Sequence, residues 1–173
     1  MADDRACVML IVFGGLPGTG KSTLARKLAE RLGAIYLRID TIERAIAESD
    51  GAVSICDKGY RVAYALAADN LRLGQTVIAD AVNARRITRE AWRRVAGRAG
   101  ARIIEIEITC SDPIEHCRRI ETRVVDIPVT WDEVVTRTYE PWIGDRISID
   151  TAGQSIAQSF ARLTALVSDQ LRS

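Results

Sequence analysis

Between positions 15 and 22 the chain reads Gly15-Leu16-Pro17-Gly18-Thr19-Gly20-Lys21-Ser22, with Gly14 before and Thr23 after. The spacing G-x-x-x-x-G-K-[ST] stands directly after an apolar run and directly before an amphipathic helical stretch, the context in which it folds into a phosphate-binding loop. Glycines let the backbone curl so that successive N–H groups face phosphate oxygens, and the helix N-terminus adds partial positive charge. Lys21 is expected to reach the β- and γ-phosphates of a nucleotide, and the Ser22 hydroxyl to ligate Mg²⁺. The chain has only three Lys against 21 Arg, yet one of them stands here. A compact ammonium is not replaced at such a position by the planar fork of Arg.

The elements that must carry this loop follow from alternating apolar runs and helical periodicity. Strands are expected at Val8 to Phe13, Ala34 to Leu37, Thr76 to Ala79, Arg102 to Ile108 and Arg146 to Ile149. Helices are expected over Ser22 to Leu32, Thr41 to Glu48, Tyr60 to Leu73, Thr88 to Gly97, Pro113 to Arg123, Trp131 to Tyr139 and Ser155 to Leu171. Strands separated by helices imply an α/β fold, a parallel sheet covered on both faces by right-handed crossovers. Ligands then sit outside the carboxyl ends of the strands. On that side fall the glycine-rich loop after strand one, Asp40 after strand two, Asp80 after strand three and Asp150 after strand five.

At 173 residues the chain fits a single domain, and a net charge of +1 supplies no global field toward nucleic acid. No apolar run is long enough to span a membrane, and the acidic start lacks the pattern of a signal peptide. Cys7, Cys56, Cys110 and Cys117 form no CxxC pair, which reads as reduced thiols in a cytoplasmic protein. His116 and Cys117, adjacent on a helix, point in different directions and are a poor metal pair. The irregular stretches are Asp50 to Gly59 and Val124 to Thr130.

Residues 150–154, DTAGQ, match the switch string of small GTPases, but no N-K-x-D follows to read guanine. At the end of the last strand the string is better placed to border the base of a nucleotide, which brings Asp150 among the nucleotide-binding candidates.

Four stretches, GGLPGTGKST, YLRIDTIER, VIADAVNARRITREAW and CSDPIEHCRRIETR, resemble the small P-loop kinases of the nucleoside monophosphate kinase-like group, especially the AAA_33 type. Relatives of that type include polynucleotide 5′-hydroxyl kinases and chloramphenicol phosphotransferase. The resemblance implies a three-layer P-loop NTPase with a five-stranded parallel sheet in the order 2-3-1-4-5 and a helical lid around residues 118–130. It implies ATP and Mg²⁺ as cofactors, with Gly15 through Thr23 holding the phosphates. Asp40 is implied to orient the acceptor hydroxyl and accept its proton, although an Asp before a helix also serves as an N-cap. Arg44, one turn on, faces the same cleft, either to bind the acceptor or to pair with Asp40. Asp80 is either the carboxylate that holds Mg²⁺ through water or a ligand of the acceptor; Asn83, with Arg86 behind it, belongs to the acceptor side. Arg119 and Arg123, four apart on one helix face, are the guanidiniums expected to act on the transferring phosphoryl, with Arg118 on the nucleotide and Arg137 a further candidate. Basic residues near a helix C-terminus are also expected from the macrodipole alone.

The leading expectation is therefore transfer of the ATP γ-phosphate to a hydroxyl of a small molecule. A polynucleotide 5′-hydroxyl kinase is the enzyme alternative, disfavoured by near-neutral charge and length. A non-catalytic nucleotide switch is a third reading, and a mechanochemical ATPase has no room for its helical domain. The protein is expected as monomer or homodimer. TWDEVVTRTYEPW gathers Trp131, Tyr139 and Trp142, as core packing or as walls of the acceptor pocket.

Overall fold

A computed structural model describes residues 8–50, 57–124 and 128–172. Cys7, Cys56, most of the expected loop after the second helix and residues 125–127 of the expected lid lie outside the described residues. The chain runs β1 (Met9–Gly14), α1 (Lys21–Leu32), β2 (Ile35–Arg38), α2 (Ile39–Asp50), α3 (Lys58–Arg72), β3 (Val77–Asp80), α4 (Arg86–Ala99), β4 (Arg102–Thr109), α5 (Pro113–Thr122), α6 (Trp131–Val135), β5 (Ile147–Asp150) and α7 (Ile156–Arg172).

The sheet order is β2-β3-β1-β4-β5, with every pair parallel, as expected. The middle strand β1 is buried along its whole length, because side chains alternate into two separate cores. Met9, Ile11 and Phe13 meet Leu24 and Leu28 of α1 and Leu163 and Val167 of α7. Leu10 and Val12 meet Ala63 and Leu71 of α3 and Trp92 of α4. Two helical layers thus clamp one sheet, which holds the carboxyl ends of β1, β3 and β4 in fixed register.

Local chemistry sets several boundaries. The α1 helix stops at Gly33, whose φ of 61° gives the left-handed cap and returns its N–H to Ala29 O. Asp112 caps α5 by accepting from the N–H groups of Ile114 and Glu115, with Pro113 at the first turn. Thr130 and Glu133 form a reciprocal capping box on α6.

Two expectations are corrected. No loop separates β2 from α2: Ile39, buried in the core, is already helical, so Asp40 stands in the first turn of α2. The helix expected to run to Tyr139 ends at Val135, since the β-branched run Val134-Val135-Thr136 and Thr138 weakens it, and residues 136–146 continue as irregular chain. That irregular chain lays Trp142 over Gly14, where a Cβ would lie 2.2 Å from the Trp142 ring.

Candidate active site

The glycine-rich loop connects the buried end of β1 to α1. At Gly15 the backbone has φ 143° and a Cβ would stand 2.2 Å from the carbonyl oxygen of Ile108, so only glycine passes β4 there. Three elements tie the loop down. Gly15 N–H donates to Val82 O at 3.0 Å. The His116 ring of α5 meets Pro17 O at 2.7 Å; a carbonyl only accepts, so Nε2 carries the proton. Thr151 Oγ1 lies 2.9 Å from Thr19 O. The loop is thereby held open from below and from both sides.

The N-terminus of α1 has no side-chain cap and no acidic residue in its first turn. The first intrahelical bond runs from Leu24 N–H to Gly20 O, so the N–H groups of Lys21, Ser22 and Thr23 precede it. These three N–H groups and an uncompensated dipole at the mouth of a curled glycine loop make a site for an anion of phosphate type.

Lys21 and Asp80 meet in the middle of this site. Lys21 Nζ lies 2.7 Å from Asp80 Oδ1, and Tyr36 Oη donates to Asp80 Oδ2 at 2.6 Å. Lys21 Nζ also reaches Ser22 Oγ at 3.4 Å. Asp80 is only 1% exposed and Lys21 7%. Burial by itself would raise the Asp80 carboxyl, but the Lys21 charge and the bonds from Lys21, Tyr36 and Ser22 outweigh it and hold the group below the ordinary carboxylate range. Tyr36 is shifted the other way, well above the usual phenol, first by burial and then by the Asp80 charge. The pair is therefore a carboxylate against an ammonium, with the phenol a neutral donor.

Ser22 and Asp80 supply hard oxygens beside a phosphate cradle, and the described residues contain no group of three or more His, Cys, Asp or Glu able to hold a metal. This donor set suits Mg²⁺, which binds through one or two protein oxygens and completes its shell with phosphate and water.

Behind the loop a cavity of about 210 Å³ opens between α5, α7 and the turn after β5, lined by Gly18, Thr23, Arg119, Thr151, Gln154 and Ser159 among others. Arg119 donates to Thr151 Oγ1 at 2.8 Å, to Thr151 O at 2.9 Å and to Glu115 Oε1 at 2.6 Å. Glu115 in turn accepts from Gly153 N–H at 2.8 Å, which with Arg119 keeps its carboxyl below the usual range. Ser159 Oγ, buried at the cavity wall, has no hydrogen-bond partner. The DTAGQ string thus borders a cavity one step beyond the phosphate cradle.

On the other side, Asp40 is half exposed and accepts from Arg38 Nη2 at 3.1 Å. One turn on, Glu43 is raised by burial and by the Asp40 charge, partly offset by Arg137. Tyr60, raised to about 12 chiefly by burial, accepts from Asn83 N–H at 3.2 Å. Arg44 is exposed on α2.

The AAA_33 family, described as an AAA domain, matches residues 10–138, from β1 through the chain that follows α6. The chain belongs to the AAA_33 family. An uncharacterized protein of Mycobacterium tuberculosis is 32% identical over 124 residues, which take in 64% of this AAA_33 chain and 24% of that protein. The chain thus spans about a quarter of the length of that relative. It is 28% identical over 136 residues to a cytidylate kinase of Ignicoccus hospitalis, covering 78% of this chain and 76% of the relative. Among solved structures, the APS kinase of Mycobacterium tuberculosis, in complex with AMPPNP and APS, superposes with a TM-score of 0.72 at 18% identity over 93% of this chain and 98% of that one. At that identity the likeness is one of fold, and the fold is that of the P-loop kinases.

Several expected site residues of the AAA_33 chain take other places. Asn83 is fully buried at φ 48°; its amide donates to Phe13 O at 2.7 Å and accepts from Trp92 Nε1 at 3.1 Å. Both ends of the amide bond inside the fold, so Asn83 braces the loop after β3. Asp150 accepts from the Ser111 N–H and hydroxyl and from Ala152 N–H, which draws its carboxyl down and ties it into the turn after β5. Arg118 is exposed and does not line the cavity, while Arg119 does. Arg119 is thereby placed at the wall of a cavity that Gly18 and Gly20 of the phosphate loop also line. Arg123 follows the last residue of α5 in an extended conformation. Arg86 pairs with Glu90 on the surface, and its N–H is capped by Glu140.

Four residues went unread in the sequence. Tyr36 and Arg38 look like strand filling in YLRID, yet one holds Asp80 and the other Asp40. His116 reads in the sequence only as a poor metal partner of Cys117, yet it holds Pro17 O of the phosphate loop. Arg89, 2% exposed, donates to the carbonyls of Asn83, Glu140 and Pro141 at 3.0 Å each and lies 4.8 Å from the Trp142 ring, stitching residues 140–142 to the loop after β3. A signal for Arg89 exists in hindsight: it falls on the face of α4 that also carries Trp92 and Ala96.

Proposed function

We propose that this chain is an ATP- and Mg²⁺-dependent phosphotransferase that moves the γ-phosphate of ATP to a hydroxyl of a small molecule. The observation that carries this reading is the buried Lys21–Asp80 pair with Ser22 beside it, at the uncapped N-terminus of α1 and next to the β2–α2 junction that bears Asp40. Phosphoryl transfer asks for positioning and charge stabilisation more than for covalent participation by the protein. The glycine loop and the backbone N–H groups of Lys21, Ser22 and Thr23 hold the phosphates, and Lys21 neutralises charge on the β- and γ-oxygens. Ser22 and Asp80 would hold Mg²⁺, which would supply further charge neutralisation. Asp40 orients the attacking hydroxyl and accepts its proton, with Arg38 fixing the carboxylate. Arg44 and Arg137 flank the acceptor, Arg119 holds the nucleotide in the cavity beside Thr151, and Arg123 serves the lid.

The likeness to a cytidylate kinase supports a second reading, in which the acceptor is the phosphate of a nucleoside monophosphate. One assay separates the two. ADP release from Mg²⁺-ATP is followed across a panel of alcohol-bearing metabolites and a panel of nucleoside monophosphates, each against a water-only background. Stimulation by alcohols supports the first reading; stimulation confined to monophosphates replaces it with the second.

A further inference from the structure

The strands place one aromatic side chain against the buried Lys21–Asp80 pair. In the β2–β3 register, Tyr36 pairs with Ile78 and Arg38 with Asp80. Residues 36, 38, 78 and 80 therefore share one face of the sheet, the α1 side, where Ile78 and Tyr36 pack with Leu24 and Leu28. Arg38 is the direct neighbour of Asp80 across the strands, yet its guanidinium turns to Asp40 at 3.1 Å. Tyr36 reaches diagonally instead, a span that a long aromatic side chain can bridge, and its hydroxyl takes Asp80 Oδ2 at 2.6 Å. Asp80 Oδ1 alone is left toward Lys21, at 2.7 Å.

We propose that Tyr36 is a positioning residue for the Mg²⁺ side of the site: its phenol fixes one oxygen of Asp80 so that the other stays turned toward Lys21 and Ser22. The inference rests on the kinase reading above. Its physical sense lies in what the partner is. Had Arg38 bonded Asp80, two cations would share one carboxylate, and little negative charge would be left to attract a metal. A neutral hydroxyl orients the carboxylate without cancelling its charge. Asp80 would thus keep both its orientation and its charge for a metal that it would hold together with Ser22. Nothing in the family motif spacing assigns this part to a residue inside β2.

The test is Tyr36→Phe, which keeps the ring and deletes the hydroxyl, studied on the whole chain by binding. Affinity for a fluorescent N-methylanthraniloyl-ATP is measured without metal and across a Mg²⁺ series, and bound Mn²⁺ is counted by its electron paramagnetic resonance signal. Loss of an outer partner of a metal ligand costs about 10- to 100-fold in metal affinity, so the metal concentration at half effect should rise by about 10-fold or more while metal-free nucleotide affinity stays within about 2-fold. Because Tyr36 acts through Asp80, the double variant Tyr36→Phe/Asp80→Asn should bind metal no worse than Asp80→Asn. Thermal unfolding of each variant is followed in parallel. The proposal is overturned if Tyr36→Phe matches the parent in its metal series. It is equally overturned if metal-free and metal-bound affinities fall together, or if the two substitutions multiply. If the parent binds no nucleotide, or binds it without regard to metal, the kinase reading falls and takes this inference with it.

Discussion

Removing the ammonium from the centre of the site is the perturbation with the most to say. In Lys21→Ala the Asp80 carboxylate, 1% exposed, loses the charge 2.7 Å from one of its oxygens. Deleting one partner of a buried ion pair costs about 3–5 kcal/mol, because the other charge stays buried and uncompensated. Here the hydroxyls of Tyr36 and Ser22 still bond the carboxylate, so the lower end, about 3 kcal/mol, is expected. For a chain of this size each kcal/mol moves Tm by roughly 2–4 °C, so the variant should melt roughly 6–12 °C below the parent at neutral pH. The loss should be smaller in Lys21→Ala/Asp80→Asn, where no buried charge remains. Circular dichroism melts of the parent, both single variants and the double variant close the cycle. Should Lys21→Ala alone melt within a degree of the parent, or the double variant prove as unstable as the sum of the singles, the buried pair would not be the structural centre described above.

Three further perturbations extend this. Asp40→Asn keeps the size and the contact with Arg38 but removes the base, so kcat should fall by about 10²- to 10⁴-fold with nucleotide affinity retained; an unchanged kcat removes Asp40 from the chemistry. Gly15→Ala drives a Cβ to 2.2 Å from the Ile108 carbonyl at a φ of 143°, where the contact is backbone and cannot swing aside; the variant should lose nucleotide binding and stability together, and a melt equal to that of the parent would contradict the packing of the loop against β4. Asp80 has its folded pKa below the ordinary 3.8, so its contribution to stability is fully present above that value and is lost as pH falls through the folded pKa. Urea titrations from neutral pH down to about pH 3 should accordingly show a flatter acid limb for Asp80→Asn than for the parent, and parallel limbs would contradict the pairing.

The parts of the site written in consecutive residues were legible. The G-x-x-x-x-G-K-[ST] spacing carries its own backbone geometry, and the apolar run before it with the amphipathic run after it identifies a strand and a helix. The parallel sheet and its order were likewise readable, since each apolar run stands between helical stretches and the resemblance orders them. What escaped depends on register between strands and on chain that crosses from one layer to another. Tyr36 holds Asp80 only because β2 lies beside β3 with Tyr36 opposite Ile78. Asn83 turns inward to Phe13 O and Trp92 Nε1, which only the packing of β1, α4 and the loop after β3 brings together. Asp150 capped its own turn, as short acidic side chains do when neighbouring N–H groups are at hand. Asp40 moved from strand end to helix start for a packing reason, the burial of Ile39.

The central claim is that this site transfers phosphate to an acceptor supplied from outside the protein. The direct measurement follows ³²P from γ-labelled ATP in the presence of Mg²⁺ and the acceptor panels, with products separated from protein and from inorganic phosphate. Label is expected on a hydroxyl of a small molecule, abolished in Lys21→Ala and strongly reduced in Asp40→Asn. Label appearing only as inorganic phosphate at the water-only rate, whatever acceptor is offered, would contradict it.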